Sequence, residues 1–187
     1  MVDDPLPWRP EFVAALRLLA RASDAVAARG LGRPVLVGGG AVEYYTGSAL
    51  MTGDIDVTTP SQPELEEELQ RLGFVRPSGV GMALRGWIHP DLGLGFEIVG
   101  SSPMGGDLDP ARLRLVRPPD ESARFRIISV EDMIADRMGQ FASGTASDMR
   151  GQARTLLTLY PDLDRAYLER RIREETLGEH GIEDIQG

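Results

Sequence analysis

The chain of 187 residues lacks cysteine and lysine altogether, and it has no long apolar run. Without cysteine there can be no disulfide, no thiol nucleophile and no cysteine-ligated zinc site. Without lysine there can be no P-loop lysine and no lysine Schiff base, so arginine is the only fixed cation that can bind phosphate. No apolar stretch approaches the ~18 residues of a transmembrane helix, so the sequence predicts no membrane association.

The charge balance is acidic, with a formal net charge of −9. This charge argues against a protein that coats nucleic acid nonspecifically, although a local arginine patch could still bind one RNA end or one nucleotide. Hydrophobic residues make up 42% of the chain and charged residues 26%, as in ordinary soluble globular proteins. The N-terminal residues are acidic and contain no apolar core segment, so we expect no signal peptide and a cytoplasmic protein.

The most informative stretch is Val35–Thr59, which joins two predicted strands through a glycine-rich turn and a helix. We predict a short buried strand over Val35–Val37, a turn of three glycines at Gly38–Gly40, and a helix that begins at Ala41. Backbone N–H groups at a turn that precedes a helix can bind a phosphate group. The sequence therefore offers a candidate phosphate site between the two strands.

The second strand of this stretch carries Asp54 and Asp56. Side chains alternate along a strand, so both carboxylates lie on one face while Ile55 and Val57 lie on the other. The rise per residue separates the two aspartates by about 7 Å along the strand. This arrangement suits a hard divalent cation such as Mg²⁺, which prefers oxygen ligands.

A third carboxylate, that of Glu97, lies in the predicted strand Leu94–Val99. Leu94, Phe96 and Ile98 share one face of that strand, and Glu97 points to the other. A glutamate in the middle of an otherwise apolar strand is costly to bury without a partner. Two alternatives stay open, namely a metal or arginine partner and a sheet face that is simply exposed.

Five arginines cluster between residues 112 and 126, where we predict a hairpin formed by Arg112–Val116 and Arg124–Ile128. Alternation places the two arginines of each strand on a common face of that strand. The hairpin is either a sheet edge protected by charge or an arm that contacts substrate.

A helical region over residues 130–187 is predicted to follow a core formed by residues 1–129. Ser129 and Asp132 have the spacing of a helix cap, and the helix after them should run to about residue 142. Two further helices are predicted at Asp148–Leu159 and Leu163–Glu175, and the tail after residue 178 is expected to be loose.

Arg137 lies on or beside the apolar stripe of the first of these helices. An arginine in that position needs an anionic partner. The partner is either a carboxylate, for example that of Asp148, or a phosphate group.

Two simpler motifs fit poorly. The dinucleotide fingerprint GxGxxG fails because Glu43 occupies its third glycine position. The segment Asp54–Thr58 matches the DxDxT motif of haloacid-dehalogenase-like phosphatases. Its lead-in, Met51-Thr52-Gly53, is not strongly apolar, and the lysine that such a site uses is missing. The phosphatase remains the lesser alternative.

The combination of Val37-Gly38-Gly39, Asp54-Ile55-Asp56 and the later Glu97 resembles the nucleotidyltransferase superfamily of the polymerase-beta type. The resemblance covers roughly residues 30–160 and is closest to small bacterial nucleotidyltransferase-like proteins, including abortive-infection and toxin-type members. Those proteins similarly have a Ser-x-Glu-Asp helix with a basic residue, here Ser129–Arg137. The basic-x-Thr triplet that often precedes the aspartates is Leu50-Met51-Thr52 in this chain, so only the threonine is retained.

The resemblance implies an α/β fold, in which helices flank a twisted mixed sheet and a small helical part follows at the C-terminus. It implies transfer of a nucleoside monophosphate from an NTP to an acceptor, which is an RNA, a protein or a small molecule. The alternative is a non-catalytic relative that binds a nucleotide or a cognate partner protein, as one half of a two-component defence or toxin–antitoxin system.

The resemblance also assigns roles to individual residues of this sequence. The residues that it implies to be catalytic, and to hold Mg²⁺ or Mn²⁺, are Asp54, Asp56 and Glu97. The residues that it implies to bind the phosphates of the nucleotide are Gly38, Gly39, Ser48 and Arg137.

Overall fold

The computed structural model describes residues 7–77, 86–106, 108–144, 146 and 148–186. The chain divides into two compact units, Met1–Ile127 and Ile128–Gly187. In the described residues the first unit combines a β-sheet with helices, and the second unit is helical. Among these residues, no helix has the length and apolar character that a membrane crossing requires.

The described part of the first unit contains three α-helices and six strands. In chain order they are α1 (Pro10–Ala28), β1 (Val35–Leu36), α2 (Gly38–Thr46), β2 (Asp54–Thr58), α3 (Gln62–Arg71), β3 (Trp87–Ile88), β4 (Gly95–Gly100), β5 (Arg114–Val116) and β6 (Phe125–Ile127). Short 3-10 turns at Pro103–Gly106 and Pro110–Arg112 lie between β4 and β5.

The six strands form one mixed sheet in the order β3-β4-β2-β1-β6-β5. Strand β2 runs parallel to β4, and β1 runs parallel to β6, whereas the other neighbouring pairs are antiparallel. Helix α1 contacts β6, and helix α2 contacts β2. The predicted α/β fold, with a mixed sheet flanked by helices, is confirmed.

Strand β2 shows the predicted alternation of apolar and acidic faces. Ile55 and Val57 are fully buried, whereas Asp54 and Asp56 are half-buried on the opposite face. The parallel pairing of β2 with β4 places Asp56 directly opposite Glu97. Since neighbouring strands lie about 4.8 Å apart, this register brings the third carboxylate beside the first two.

Helix α2 begins at Gly38, three residues earlier than the sequence predicted, so the three glycines form its first turn. Glycine disfavours a helix by about 1 kcal/mol relative to alanine, so propensity does not explain this start. Close packing explains why the helix begins at the glycines, because a Cβ on Gly40 would lie 2.9 Å from Leu36 Cδ1. The glycines let α2 approach the sheet more closely than larger residues would allow.

Strands β5 and β6 form the predicted hairpin at one edge of the sheet. Strand β5 starts later than predicted, because Pro110–Arg112 form a 3-10 turn that is capped by the Asp109 side chain. Arg112 therefore does not share a strand face with Arg114, and that part of the prediction is wrong. Arg114 and Arg126 both have exposed side chains.

The remaining strand predictions are confirmed in position, with shifted ends. The predicted extended segment Met82–His89 contains β3, and its residues 82–85 lie outside the described residues. Strand β4 begins and ends one residue later than the predicted Leu94–Val99.

The second unit contains α4 (Val130–Ala142), α5 (Met149–Leu159), α6 (Arg165–Glu175) and α7 (Ile182–Gln186) in its described part. The first three confirm the predicted helices. The prediction of a loose tail is wrong, because α7 buries Ile182 and Ile185, and Arg154 Nε donates to the Ile185 carbonyl oxygen at 2.8 Å. A helix with only two apolar residues shows too little periodicity for sequence analysis to detect.

Four polar side chains form a buried network at the centre of the second unit. Asp132 is fully buried and accepts hydrogen bonds from Ser129 Oγ (2.6 Å), Tyr167 Oη (2.8 Å) and Arg171 Nε (2.9 Å). Burial alone would lower the pKa of Arg171, but its hydrogen bonds to Glu174 and Asp132 raise the pKa above the ordinary arginine value. Arg171 is therefore charged although it is buried.

Replacement of Tyr167 by phenylalanine tests this network. Tyr167→Phe removes one donor to a buried carboxylate and creates no steric conflict. We expect a loss of about 1–3 kcal/mol in the free energy of unfolding, because part of the desolvation cost of Asp132 is no longer offset. Urea denaturation followed by circular dichroism measures the change. A change under about 0.5 kcal/mol, as at an ordinary surface position, would show that Asp132 does not need this donor.

Candidate metal and nucleotide site

Three carboxylates converge on one face of the sheet. Asp54 and Asp56 project from β2, Glu97 projects from β4, and one carboxylate oxygen of each lies within 4.8 Å of the others. All three side chains are half-buried. The structure thus brings together the three acidic residues that the sequence singled out, and the parallel register of β2 and β4 is the cause.

The cluster has the ligand type and span that a divalent cation needs. Oxygens bound to one Mg²⁺ lie at 2.0–2.1 Å from it, and hence at most about 4.2 Å from each other. The carboxylate oxygens of the cluster lie within 4.8 Å of one another. Small side-chain rotations would bring them within the distance of about 4.2 Å that separates two oxygens bound to one Mg²⁺. In the described part of the chain, neither Asp54 nor Glu97 forms an ion pair with an arginine. A bound cation would supply the balancing positive charge.

The first turn of α2 lies directly against this cluster. Gly38 has a φ of +59°, and a Cβ at this position would overlap the Asp56 carboxylate. A Cβ on Gly39 would lie 2.5 Å from Thr52 Oγ1. The N–H groups of a first helical turn have no acceptor within the helix, so this turn presents donors for an anion next to the carboxylates.

A buried glutamate on α2 holds the loop that leads into β2. Glu43 is fully buried and accepts hydrogen bonds from Arg9 Nε (2.7 Å), Ser48 Oγ (2.7 Å) and the Thr52 backbone N–H (2.7 Å). Thr52 Oγ1 in turn donates to Asp54 Oδ1 at 3.1 Å. A chain of hydrogen bonds therefore runs from a buried charge to the first carboxylate of the cluster.

The hydrogen bonds of this network determine the protonation state of Glu43. Burial alone would raise the pKa of Glu43, but hydrogen bonds from Arg9, the Thr52 N–H and Ser48 outweigh it and lower the pKa below the ordinary glutamate value. The charge of Arg9 acts in the same direction. Glu43 is therefore ionised at neutral pH and stays bonded to its donors.

Ser48 belongs to this network by its geometry. Its hydroxyl donates to Glu43 Oε1 and accepts from the Arg9 backbone N–H at 3.1 Å. A hydroxyl has a single O–H donor, and here that donor is directed at Glu43 rather than toward the glycines. The phosphate-binding role that the resemblance implies for Ser48 stays a prediction.

Arg137 lies in the second unit, on α4, and is buried. Its Nη1 donates to Gln140 Oε1 at 3.0 Å, and its Nε lies 3.7 Å from Asp136 Oδ2. The carboxylate partner that the sequence left open is thus present in Asp136. Its predicted role in nucleotide binding stays a prediction.

Glu43 and Arg9 were not predicted from the sequence as parts of the site. In the sequence, Glu43 is notable only because it interrupts a glycine motif, and Arg9 lies 34 positions before it. No local spacing connects two residues so far apart. A charged residue within an otherwise apolar helix segment was the one available signal, since such a residue needs a partner.

A cavity of about 250 Å³ opens beside the cluster. Asp54 and Glu97 form part of its wall, together with Gly86, Ile88 and Gly95. The cavity was not predicted, because its walls come from three strands that are distant in sequence.

Comparisons with known proteins identify the fold. No protein-family model matches the chain, and no curated protein matches its sequence. Among solved structures, an antigenic nucleotidyltransferase-like protein from Paracoccidioides brasiliensis matches with a TM-score of 0.59 and 13% identity, over 90% of this chain and 88% of that chain. The antibiotic-resistance factor ANT(2'')-Ia matches with a TM-score of 0.54 and 18% identity, over 86% of this chain and 90% of that chain.

These likenesses define the class of fold, since the identities are low. The chain has a nucleotidyltransferase-like fold, as the resemblance in its sequence implied.

A paired glycine substitution tests the contact between α2 and the cluster. Gly38→Ala and Gly30→Ala both place alanine at a positive φ, which costs about 1–2 kcal/mol. Only Gly38 would bring its Cβ into the Asp56 carboxylate, because nothing lies within 4 Å of a Cβ on Gly30. We expect thermal unfolding to show the larger loss for Gly38→Ala. Equal losses would show that Asp56 moves aside without cost.

The pH dependence of stability tests the buried glutamate. Glu43→Gln should cost about 1.5–3 kcal/mol at neutral pH, as expected for charge-assisted hydrogen bonds. The folded pKa of Glu43 is depressed, so its contribution is complete above the unfolded pKa of about 4.3 and is lost as pH falls through the folded value. Urea midpoints of both proteins, measured across this range, should converge in acid. A gap that does not depend on pH would contradict an ionised Glu43.

Proposed function

We propose that the chain is a metal-dependent nucleotidyltransferase that moves a nucleoside monophosphate from an NTP to an acceptor. The observation that supports this most strongly is the convergence of Asp54, Asp56 and Glu97 on one sheet face, within 4.8 Å, beside a glycine-rich helix start. The nucleotidyltransferase-like fold agrees with it.

The three carboxylates would hold Mg²⁺ or Mn²⁺, since their oxygens are hard ligands on rigid strands. When bound, such an ion acts as a Lewis acid toward the phosphate and lowers the pKa of the attacking hydroxyl. Asp54 and Asp56 stand on one strand and Glu97 on the next, so the sheet itself fixes their spacing.

The start of α2 would hold the phosphates of the NTP. Its first N–H groups have no acceptor within the helix, and Gly38 and Gly39 carry no side chain that could keep a phosphate away. The close approach of both glycines to β2 places these donors next to the carboxylates. Thr52 and Glu43 act as positioning residues, because Thr52 Oγ1 donates to Asp54 and Glu43 holds the Thr52 backbone N–H.

The alternatives are weaker on specific grounds. A DxDxT phosphatase would have its first aspartate after an apolar strand, whereas Asp54 begins β2. A non-catalytic relative agrees with Leu50 standing where a basic residue is often found, yet it leaves three convergent carboxylates unused. Only an activity measurement separates this second alternative from the transferase.

Asp54→Asn provides that measurement. Transfer of label from an α-labelled NTP should fall at least about a hundredfold, because several kcal/mol of transition-state stabilisation depend on the metal ligands. The fold should persist and its stability should not fall, since the near-isosteric change relieves repulsion among carboxylates. Mg²⁺ should raise the melting temperature of the wild type and much less that of the variant.

The matched control is Asp91→Asn, because Asp91 is an exposed aspartate outside the cluster. It should behave as wild type in both measurements. If the wild type binds an NTP but transfers no label to RNA, protein or small molecules, the binding alternative is correct. An equal effect of Mg²⁺ on wild type and Asp54→Asn would remove the metal site from the proposal.

A further inference from the structure

The two edges of the sheet differ in how their backbone groups are used. At one edge, Val75 lies beside β3 and exchanges two backbone hydrogen bonds with Ile88, at 2.8 and 2.9 Å. At the other edge β5 pairs with β6, and in the described part of the chain no strand lies on its outer side. Residues of an antiparallel strand bond to one neighbouring strand alternately, so β5 directs at least one N–H and one C=O outward. This edge can therefore accept a further strand.

Three exposed arginines lie on one face of this edge. Leu115 pairs with Arg126 in the hairpin, so both side chains lie on the same face. Arg124 is two residues before Arg126, and alternation along the strand adds it to that face. Arg117 is two residues after Leu115 and belongs there for the same reason. The three arginines are exposed, and Leu115 among them is 46% exposed.

The carboxylates of the hairpin do not neutralise these arginines. Asp120 accepts a hydrogen bond from Arg17 Nη2 at 3.0 Å, and Glu121 accepts one from Arg21 Nε at 2.7 Å. Helix α1 thus engages both acidic residues of the turn. Among the residues that the structure describes, no carboxylate forms an ion pair with any of the three arginines.

The local charge is opposite to that of the chain. Residues 112–126 contain five arginines and two acidic residues, a formal charge of +3, whereas the whole chain carries −9. Like charges on neighbouring strands repel each other, so the arginines destabilise the hairpin that carries them. A bound anionic group relieves this repulsion. The charge of the surface therefore selects an acidic ligand.

An acidic polypeptide fits this surface better than a nucleic acid. Proteins that bind single-stranded nucleic acid stack bases on aromatic side chains, and none of the aromatic side chains in the described part of the chain is exposed. The acidic remainder of the chain repels a long polyanion, whereas a short acidic segment contacts only the hairpin. An extended polypeptide can also bond to the outward backbone groups of β5.

We propose that β5 is the docking edge for an acidic, extended segment of a partner protein, which adds a strand to the sheet. The backbone of this segment pairs with the outer side of β5, and its carboxylates contact Arg117, Arg124 and Arg126. The same arginines repel basic segments and a second copy of this edge. Binding requires neither a nucleotide nor a metal ion, so it is measured apart from the proposed transferase activity.

A short peptide tests the charge complementarity. The probe is a heptapeptide of alternating glutamate and valine, blocked at both ends and labelled with a neutral fluorophore, and fluorescence anisotropy reports its binding. Arg126→Glu should weaken binding at least about tenfold, because it removes an attractive charge and adds a repulsive one. The matched control is Arg165→Glu, which changes the net charge equally at an exposed arginine of the second unit and should bind as wild type.

Three results of this measurement would overturn the proposal. They are absence of peptide binding to the wild type at low ionic strength, undiminished binding by Arg126→Glu, and equal weakening by Arg165→Glu. Arg126→Glu should not lower the melting temperature, because a glutamate among arginines replaces repulsion with attraction. Arg126→Gln repeats the test without a reversed charge and should weaken binding about threefold.

A modified peptide tests the strand pairing. The same heptapeptide with every backbone nitrogen methylated keeps its carboxylates and lacks all N–H donors. It should bind at least about tenfold more weakly, because strand addition depends on backbone hydrogen bonds. The unmodified peptide should also slow hydrogen exchange within Arg114–Val116. Equal affinity of the two peptides would show attraction between charges without strand pairing and would overturn the proposal.

Two other occupants of the edge give different results. Binding of a uridine decamer more tightly than the peptide, with loss of that binding in Arg126→Glu, would assign the surface to RNA. A dimer of the protein alone in sedimentation, dissolved by Leu115→Lys, would assign the edge to a second copy. Either result would overturn the proposal.

Discussion

The candidate site depends on the ion pair and hydrogen bonds formed by the fully buried carboxylate of Glu43. An isolated buried charge would be very costly, and here Arg9 approaches both oxygens through Nε and Nη2, at 2.7 and 3.0 Å. The planar guanidinium suits this bidentate contact with a carboxylate. With its charge balanced, Glu43 binds the Thr52 N–H, and Arg9 also donates to the Thr52 carbonyl oxygen. Both polar groups of the Thr52 backbone are thereby fixed just before β2.

A buried carboxylate paired with an arginine also occurs in the second unit. Asp132 is buried, and Arg171 donates to it while also bonding Glu174 and Glu175. A chain without lysine must use arginine for every strong ion pair, and arginine offers several directed donors where lysine offers one compact charge. Glu43 and Asp132 can be buried because each accepts hydrogen bonds from a guanidinium and from hydroxyl or backbone donors.

The features that were predicted correctly from the sequence are those that a local pattern of residues determines. Alternation along β2 correctly placed Asp54 and Asp56 on one face, and the spacing of Ser129 and Asp132 correctly located the start of α4. Convergence with Glu97 required the parallel pairing of β2 and β4, which no local pattern contains. The resemblance to known nucleotidyltransferases supplied that step.

Other features could not be predicted from local sequence patterns, and the reasons are physical. The glycines looked like a turn because glycine is a poor helix former, but close packing against the sheet determined their structure. The partnership of Arg9 with Glu43 depends on tertiary folding alone. Helix α7 is held by contacts with the rest of its unit, including the bond from Arg154, rather than by its own sequence.

The bond between Arg9 and Glu43 has a consequence for the order in which the protein folds. Arg9 immediately precedes α1, so its partnership with α2 closes a loop of the chain that contains all of α1 and β1. Closure of such a loop has an entropic cost that must be met before its contacts can form. An intermediate with β2 and β4 paired but α1 undocked would leave the loop before β2 unanchored. The hydrogen bonds that fix Thr52, and through it Asp54, are therefore complete only when the residue before α1 has docked on α2.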